Sequence, residues 1–262
     1  MSNQQNLFNY TIGLADDAMI LGQRLSEWCG KAPFLEEDLA LSNTALDFIG
    51  RAQMFYNYAS ELTASKLTTS ELDTEQRSAD QLAFLRTDRE FTNNLIHELP
   101  IGDFAYTLTR QFFVDAFNVE FLSALTNSTD TELSAIANKA IKESHYHLRR
   151  SRDWLLRMGD GTEESHAKVQ KAIDHIWPYT QELFSMTEVE TQLVTCGIAV
   201  DKAELLKAWE AEVKDTLTEA TLSMPDIEHF IKGGREGIHT EHLGHLLAEM
   251  QYLQRAHPNS EW

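Results

Sequence analysis

The stretch Leu41–Leu62, LSNTALDFIGRAQMFYNYASEL, decides the fold. Its apolar side chains recur at alternating intervals of four and three residues, and they are Leu41, Ala45, Phe48, Ala52, Phe55, Ala59 and Leu62. Because an α-helix has about 3.6 residues per turn, this spacing places them all on one face. The pattern is typical of a helix packed at a shallow angle in a bundle.

The same periodicity recurs along most of the chain, without the alternation that is typical of strands. It predicts four core helices at about residues 8–29, 35–62, 102–126 and 131–158, with additional helices around them. Pro178 lies inside one further stripe and predicts a kink or a break there. Val194–Val200 is a short β-like run, and we expect a turn because a lone strand has nothing to pair with. The prediction is therefore an all-α fold in a single domain over residues 1–262.

Composition excludes several classes of function. The chain has a formal net charge of −19, so its surface should repel phosphate backbones, and we expect no nucleic-acid binding. No apolar run approaches the roughly 18–20 residues of a membrane span, and we expect no membrane partner. Cys29 and Cys196 are too few for a disulfide framework in a chain of this length. With no signal-peptide pattern at the N-terminus, the cytoplasm is the predicted compartment.

Acidic residues lie in the core helices where a di-metal site would need them. Ferritin-like di-metal proteins place a Glu on each of two helices and a Glu-x-x-His motif on each of the other two. Asp47 is followed three residues later by Gly50, and Glu143 is followed three residues later by Tyr146. Asp115 lies on the apolar stripe of a third helix. We therefore predict a ferritin-like four-helix core in which these five residues mark degenerate ligand positions.

The first predicted helix offers two acids, Asp16 and Asp17, and the spacing does not choose between them. Taken alone, an acid in a helix usually pairs with an arginine or caps a turn. Since a buried charge is costly unless it is satisfied, we expect a nearby arginine or a hydrogen-bond network around these acids. We predict no catalytic residue, no cofactor-binding residue and no metal in this chain.

Two other motifs leave alternatives open. The densest histidine cluster, His239–His245, could hold an adventitious zinc or consist of ordinary surface histidines. The glycine-rich segment Gly233–Gly237, GGREG, could approach a phosphate or form a turn before the last helix.

Several longer motifs resemble a known family. They are LSEWCG from Leu25, DLALSN from Asp38, Leu46-Asp47, AIKESHYHLR from Ala140, AWEAEV from Ala208, HTEHLG from His239 and AEMQYLQR from Ala248. Together they resemble the structural C subunits of bacterial phenylacetyl-CoA epoxidases, also called ring-1,2-phenylacetyl-CoA oxygenases. The polar connection Thr63–Ser78 is longer than the family usually has.

The resemblance implies membership of a multicomponent monooxygenase for aerobic phenylacetate degradation. In that complex a catalytic A subunit holds the di-iron centre. A reductase supplies electrons from NADPH through flavin and iron–sulfur groups, and a small B subunit joins the assembly. The C subunit is a ferritin-like homologue that pairs with A and lacks the iron ligands.

Three hypotheses follow. The first is a non-catalytic scaffold that docks the catalytic A subunit and that could also form a homodimer when alone. The second is a variant di-metal oxidase that uses Asp47, Asp115, Glu143 and His147. The third is a homodimeric binding module unconnected with oxygenation. The resemblance favours the first.

Overall fold

The computed structural model describes residues 3–64, 77–227, 229–258 and 260, and these ranges contain helices and turns but no strand. The α-helices are α1 (Asn3–Ser26), α2 (Leu35–Ala64), α3 (Ala79–Phe84), α4 (Leu95–Glu98), α5 (Phe104–Leu125), α6 (Thr131–Gly159), α7 (Glu163–Ile176), α8 (Glu188–Thr195), α9 (Leu206–Glu219), α10 (Glu241–Met250) and α11 (Tyr252–Ala256). Short 3₁₀ helices cover Asp88–Glu90, Trp177–Phe184, Lys202–Leu205 and Gly234–Glu236.

The four predicted core helices correspond to α1, α2, α5 and α6, so the all-α prediction is confirmed. Residues 65–76 of the predicted polar connection lie outside the described residues. Within the described ranges, no helix combines the length and the apolar character that crossing a bilayer requires.

The breaks between helices follow local chemistry. The α7 helix ends at Ile176, and the chain continues as the 3₁₀ helix that contains Pro178, so the predicted break is confirmed. The run from Val194 to Val200 forms the end of α8 and a turn, as expected. At α5, the side chain of Asp103 accepts a hydrogen bond from the N–H of Tyr106 at 2.8 Å.

The predicted start of the fourth core helix is confirmed, since α6 begins at Thr131, but its capping differs in one detail. The segment Thr129–Glu132 has the pattern of a capping box, in which side chains satisfy the first free N–H groups of a helix. In the structure Asp130 is the cap, and its carboxylate accepts from the N–H of Leu133 at 2.9 Å. The Thr129 hydroxyl instead donates to the carbonyl of Cys196 at 3.1 Å. An acid beside a threonine therefore took the capping position.

The chain divides into two compact units. The first unit consists of Met1–Cys29, Leu39–Pro100 and Gly233–Trp262, and the second consists of Gly30–Asp38 and Ile101–Lys232. A single domain over residues 1–262 stays a prediction.

The core of the second unit is centred on Trp209. In this unit α5 packs against α6, α7 and α9. Trp209 is fully buried, and its indole N–H donates to the carbonyl of Phe113 at 2.9 Å. Its ring centroid lies 5.3 Å from that of Phe184 and 5.8 Å from that of Trp177. The indole thus satisfies its polar atom while it fills the aromatic core.

The core of the first unit combines α1, α4 and the C-terminal helices. A buried apolar cluster contains Ile20, Phe91, Leu243, Leu246 and Leu247. Residues from both ends of the chain therefore share one core.

We predict that Trp209→Ala lowers the free energy of unfolding by about 3–5 kcal/mol, because it empties a large buried site and removes the hydrogen bond that the indole donates. Urea denaturation followed by circular dichroism measures the change. The control is Tyr252→Ala, since Tyr252 is 67% exposed, and it should shift stability by less than about 0.5 kcal/mol. Equal effects of the two substitutions would contradict this description of the core.

Candidate functional site

Asp16 on α1 is fully buried, with none of its surface exposed. The guanidinium of Arg86 donates to both carboxylate oxygens, and its Nη1 lies 3.0 Å from Oδ2. The hydroxyl of Tyr56 donates to Oδ1 at 2.7 Å. The backbone N–H of Thr92 donates to Oδ2 at 2.9 Å. Each of these donors stabilises the ionised form of Asp16 over its protonated form.

Arg86 is held by aromatic rings as well as by charge. Its guanidinium carbon lies 4.2 Å from the ring centroid of Phe91 and 5.6 Å from that of Tyr56. Burial by itself would lower the pKa of Arg86. The negative charge of Asp16 acts in the opposite direction, and the pKa of Arg86 lies above its ordinary value. Burial, and then the charge of Asp16, raise the pKa of Tyr56 well above its usual range, so the phenol stays protonated and donates.

Asp17 forms a second pair beside the first. Nη2 of Arg235 lies 2.5 Å from Oδ2, and Nδ1 of His97 lies 3.0 Å from Oδ1. The backbone N–H of Asn94 donates to Oδ1 at 2.7 Å. Burial would raise the pKa of Asp17, but Arg235 and His97 overcome it and hold the pKa at about 2. Asp16 and Asp17 are therefore both engaged, each by a different arginine.

The segment Gly233–Gly237 positions Arg235 beside Asp17. A Cβ on Gly234 would lie 2.0 Å from the carbonyl oxygen of Asn93, so no side chain fits there. Gly237 adopts a φ of 71°, which favours glycine. Nη1 of Arg235 also donates to the carbonyl of Gly13 at 2.9 Å. Of the two interpretations of GGREG, the structure supports the turn before α10.

Glu98 of α4 forms a third buried pair, with His239. Its Oε2 accepts from Nδ1 of His239 at 2.8 Å, and its Oε1 accepts from the N–H of Thr240 at 2.6 Å. Nε2 of His239 faces the carbonyl of Phe91 at 2.8 Å. Since both ring nitrogens face acceptors, the geometry favours the doubly protonated imidazolium form. Burial would lower the pKa of His239, but the hydrogen bonds to Glu98 and Phe91 raise it.

In the second unit, Asp115 on α5 is buried within a hydrogen-bond network. Nε2 of Gln111 donates to Oδ1 at 2.7 Å, and the hydroxyl of Ser151 on α6 donates to Oδ2 at 2.9 Å. The four-residue spacing of Gln111 and Asp115 was visible in the sequence as a helix-face pair. Ser151 was not predicted, because nothing local connects it with α5.

The other predicted positions are divided between the units. Asp47 and Gly50 are half-buried on α2, in the part that belongs to the first unit. Glu143 is half-buried and Tyr146 is 50% exposed, both on α6 in the second unit. A Cβ at Gly50 would meet nothing within 4 Å. That these residues are degenerate ligand positions stays a prediction.

The donors that surround the acids do not fit a di-iron centre. Asp16 and Asp17 each face a guanidinium, whose positive charge opposes a nearby dication. Among the described residues, no group of three or more His, Cys, Asp or Glu side chains is placed to hold a metal ion. In the histidine cluster, both nitrogens of His239 are already engaged. That this chain holds no metal stays a prediction.

We predict that Arg86→Met destabilises the chain by about 3–5 kcal/mol, because it leaves the buried carboxylate of Asp16 without its counter-charge. Urea denaturation measures the change. Lys168→Met is the matched control, because Lys168 pairs with Glu164 on the surface of α7, and its effect should be far smaller. If both substitutions had equal effects, Asp16 would not depend on Arg86.

We predict that the pair His239–Glu98 makes stability depend on pH. Because folding raises the pKa of His239 above 6.5, its contribution is complete below that pH and is lost as the pH rises through the raised value. The stability difference between the wild type and His239→Gln should therefore shrink as the pH rises. Urea denaturation between about pH 6 and pH 9 measures it. The exposed His245→Gln should leave the profile unchanged, and a difference that grew with pH would refute the pairing.

Comparison with known proteins agrees with the sequence resemblance. The family model "Phenylacetic acid catabolic protein" matches residues 1–262. The chain is 49% identical over 253 residues to the C subunit of the 1,2-phenylacetyl-CoA epoxidase of Escherichia coli (strain K12), and the match covers 97% of this chain and 98% of that relative. The predicted resemblance and the ferritin-like helical fold class are confirmed. The chain belongs to the phenylacetic acid catabolic protein family.

Proposed function

We propose that this chain is the non-catalytic structural subunit of a 1,2-phenylacetyl-CoA epoxidase in aerobic phenylacetate degradation. The observation on which the proposal rests is the match to the C subunit of the Escherichia coli epoxidase, which extends over nearly the full length of both chains. In the proposed complex the chain acts in the cytoplasm as one ferritin-like domain. It pairs with a di-iron catalytic A subunit, together with a B subunit and a reductase that supplies electrons from NADPH through flavin and iron–sulfur groups.

The engaged acids of α1 support a structural role. Asp16 and Asp17 each bind an arginine from a distant part of the chain and tie α1 to it. A carboxylate that ligates iron would have to release such a partner, and the arginine would then remain buried and unpaired. We therefore infer that these acids stabilise the fold and do not bind iron.

The residues that follow the other acids support the same role. A Glu-x-x-His motif supplies a neutral imidazole to each metal. Gly50 has no side chain, and Tyr146 offers a half-exposed phenol. Neither replaces an imidazole.

The runner-up, a variant di-metal oxidase, is less well supported. It would need the carboxylate of Asp115 as a ligand. Both oxygens of that carboxylate already accept hydrogen bonds, from Gln111 and Ser151. Iron binding would have to displace both donors.

The proposal predicts that Asp47→Asn and Glu143→Gln in this chain leave epoxidase turnover unchanged within about twofold, because neither acid touches the reacting centre. Consumption of phenylacetyl-CoA by the reconstituted complex measures turnover, and size-exclusion chromatography verifies assembly. An iron-free catalytic subunit is the control for lost activity.

Metal analysis of the isolated chain after iron loading supplies the second arm of this test. We expect no stoichiometric iron. Two tightly bound irons per chain, or loss of turnover in a complex that still assembles, would favour the variant oxidase over the structural subunit.

A further inference from the structure

Several exposed apolar side chains lie close together on one short stretch of the described chain. The described residues contain ten exposed large hydrophobic side chains, and Phe34, Leu35, Leu39 and Leu46 are four of them. Isolated exposed leucines are common on protein surfaces, but clustered ones mark interaction sites. This stretch covers the beginning of α2 and the residue before it.

Leu39 and Leu46 belong to a continuous stripe, which we call the outer face of α2. It consists of Leu39, Asn43, Leu46, Gly50, Gln53 and Asn57. The intervals of four and three residues keep these positions on one side of the helix. Leu39 is 57% exposed and Leu46 is 65% exposed. Leu35, one turn earlier on the same helix, is 72% exposed.

The outer face of α2 has no charged residue, although charged residues make up 24% of the chain. The exposed charged side chains of α2 in the described residues are Glu36 and Glu61, and both are acidic. The arginine of this helix, Arg51, is buried, with its guanidinium carbon 4.7 Å from the ring centroid of Phe48. An uncharged face with acidic neighbours suits a partner of the opposite charge.

Charge also distinguishes between two possible partners for the outer face of α2. A second copy of this chain would bring another net charge of −19 and would place acidic α2 residues near acidic α2 residues. A partner helix whose apolar stripe is flanked by lysines and arginines would cover the leucines and pair with Glu36 and Glu61. The observations therefore favour a basic heterologous partner.

We infer that the outer face of α2 is the docking surface for a basic-rimmed helix of the catalytic subunit. This inference rests on the proposed function and adds the face and the chemistry of the contact. The exposed Leu39 and Leu46 become the desolvated anchors of the interface, and Glu36 and Glu61 guide association.

The test is binding of the full-length chain to the purified di-iron catalytic subunit. Leu39→Lys combined with Leu46→Lys should weaken the affinity at least about 30-fold, because it places two cations against a basic surface. The control is Leu253→Lys on α11, since Leu253 is 53% exposed and lies outside the outer face. Thermal melts verify folding of all variants.

A second arm tests the charges. Glu36→Gln combined with Glu61→Gln should slow association, and added salt should slow association of the wild type more than that of this variant. Equal salt dependence of the two proteins would refute the basic rim.

The outcomes separate the docking inference from the proposed function. If the wild type does not bind the catalytic subunit, the proposed function fails, and the docking inference fails with it. If the wild type binds and Leu39→Lys with Leu46→Lys binds equally well, the docking surface is wrong, whereas the proposed function stands. If the double variant only turns a wild-type homodimer into a monomer, a second copy occupies the face, and the inference is overturned.

Discussion

Neighbouring carboxylates on α1 constrain the first unit more than any other feature. Asp16 and Asp17 are adjacent in sequence, and each requires a positive partner because a buried anion without one is very costly. Arg86 meets the first requirement and Arg235 the second. The segments that supply these arginines must therefore reach α1 in a particular register. A buried ion pair adds little net stability compared with well-packed apolar residues in its place. Removing only one partner, however, strongly lowers the free energy of unfolding.

The buried acids of both units are stabilised in a similar way. Asp16 and Asp17 are paired with guanidinium groups and Glu98 with His239, whereas Asp115 accepts hydrogen bonds from neutral donors. Each arrangement satisfies the carboxylate with groups from the chain itself. The acids of this ferritin-like scaffold are thus stabilised by the scaffold's own hydrogen-bond donors. The family match shows the relationship of this chain, and the donor chemistry supports the proposed structural role.

Local spacing predicts most of the fold. The helices α1, α2, α5 and α6 were predictable because amphipathic periodicity is a property of consecutive residues. The partners of Asp16 and Asp17 were not predictable, since Arg86 and Arg235 lie 70 and 218 residues away. The sequence indicated that these acids need counter-charges but did not identify them. The fit of Gly234 against the carbonyl of Asn93 was likewise hidden, because it depends on tertiary contact.

The remote origin of Arg235 has a consequence for synthesis on the ribosome. Asp17 emerges early, but its guanidinium partner emerges only after residues 101–232, which make up most of the second unit, have been translated. Non-local contacts of this kind form late, because the chain must first close a long loop. The second unit can therefore fold while the first unit is still incomplete. Until Gly233–Gly237 has been synthesised, Asp17 lacks the positive charge that Arg235 supplies in the folded protein.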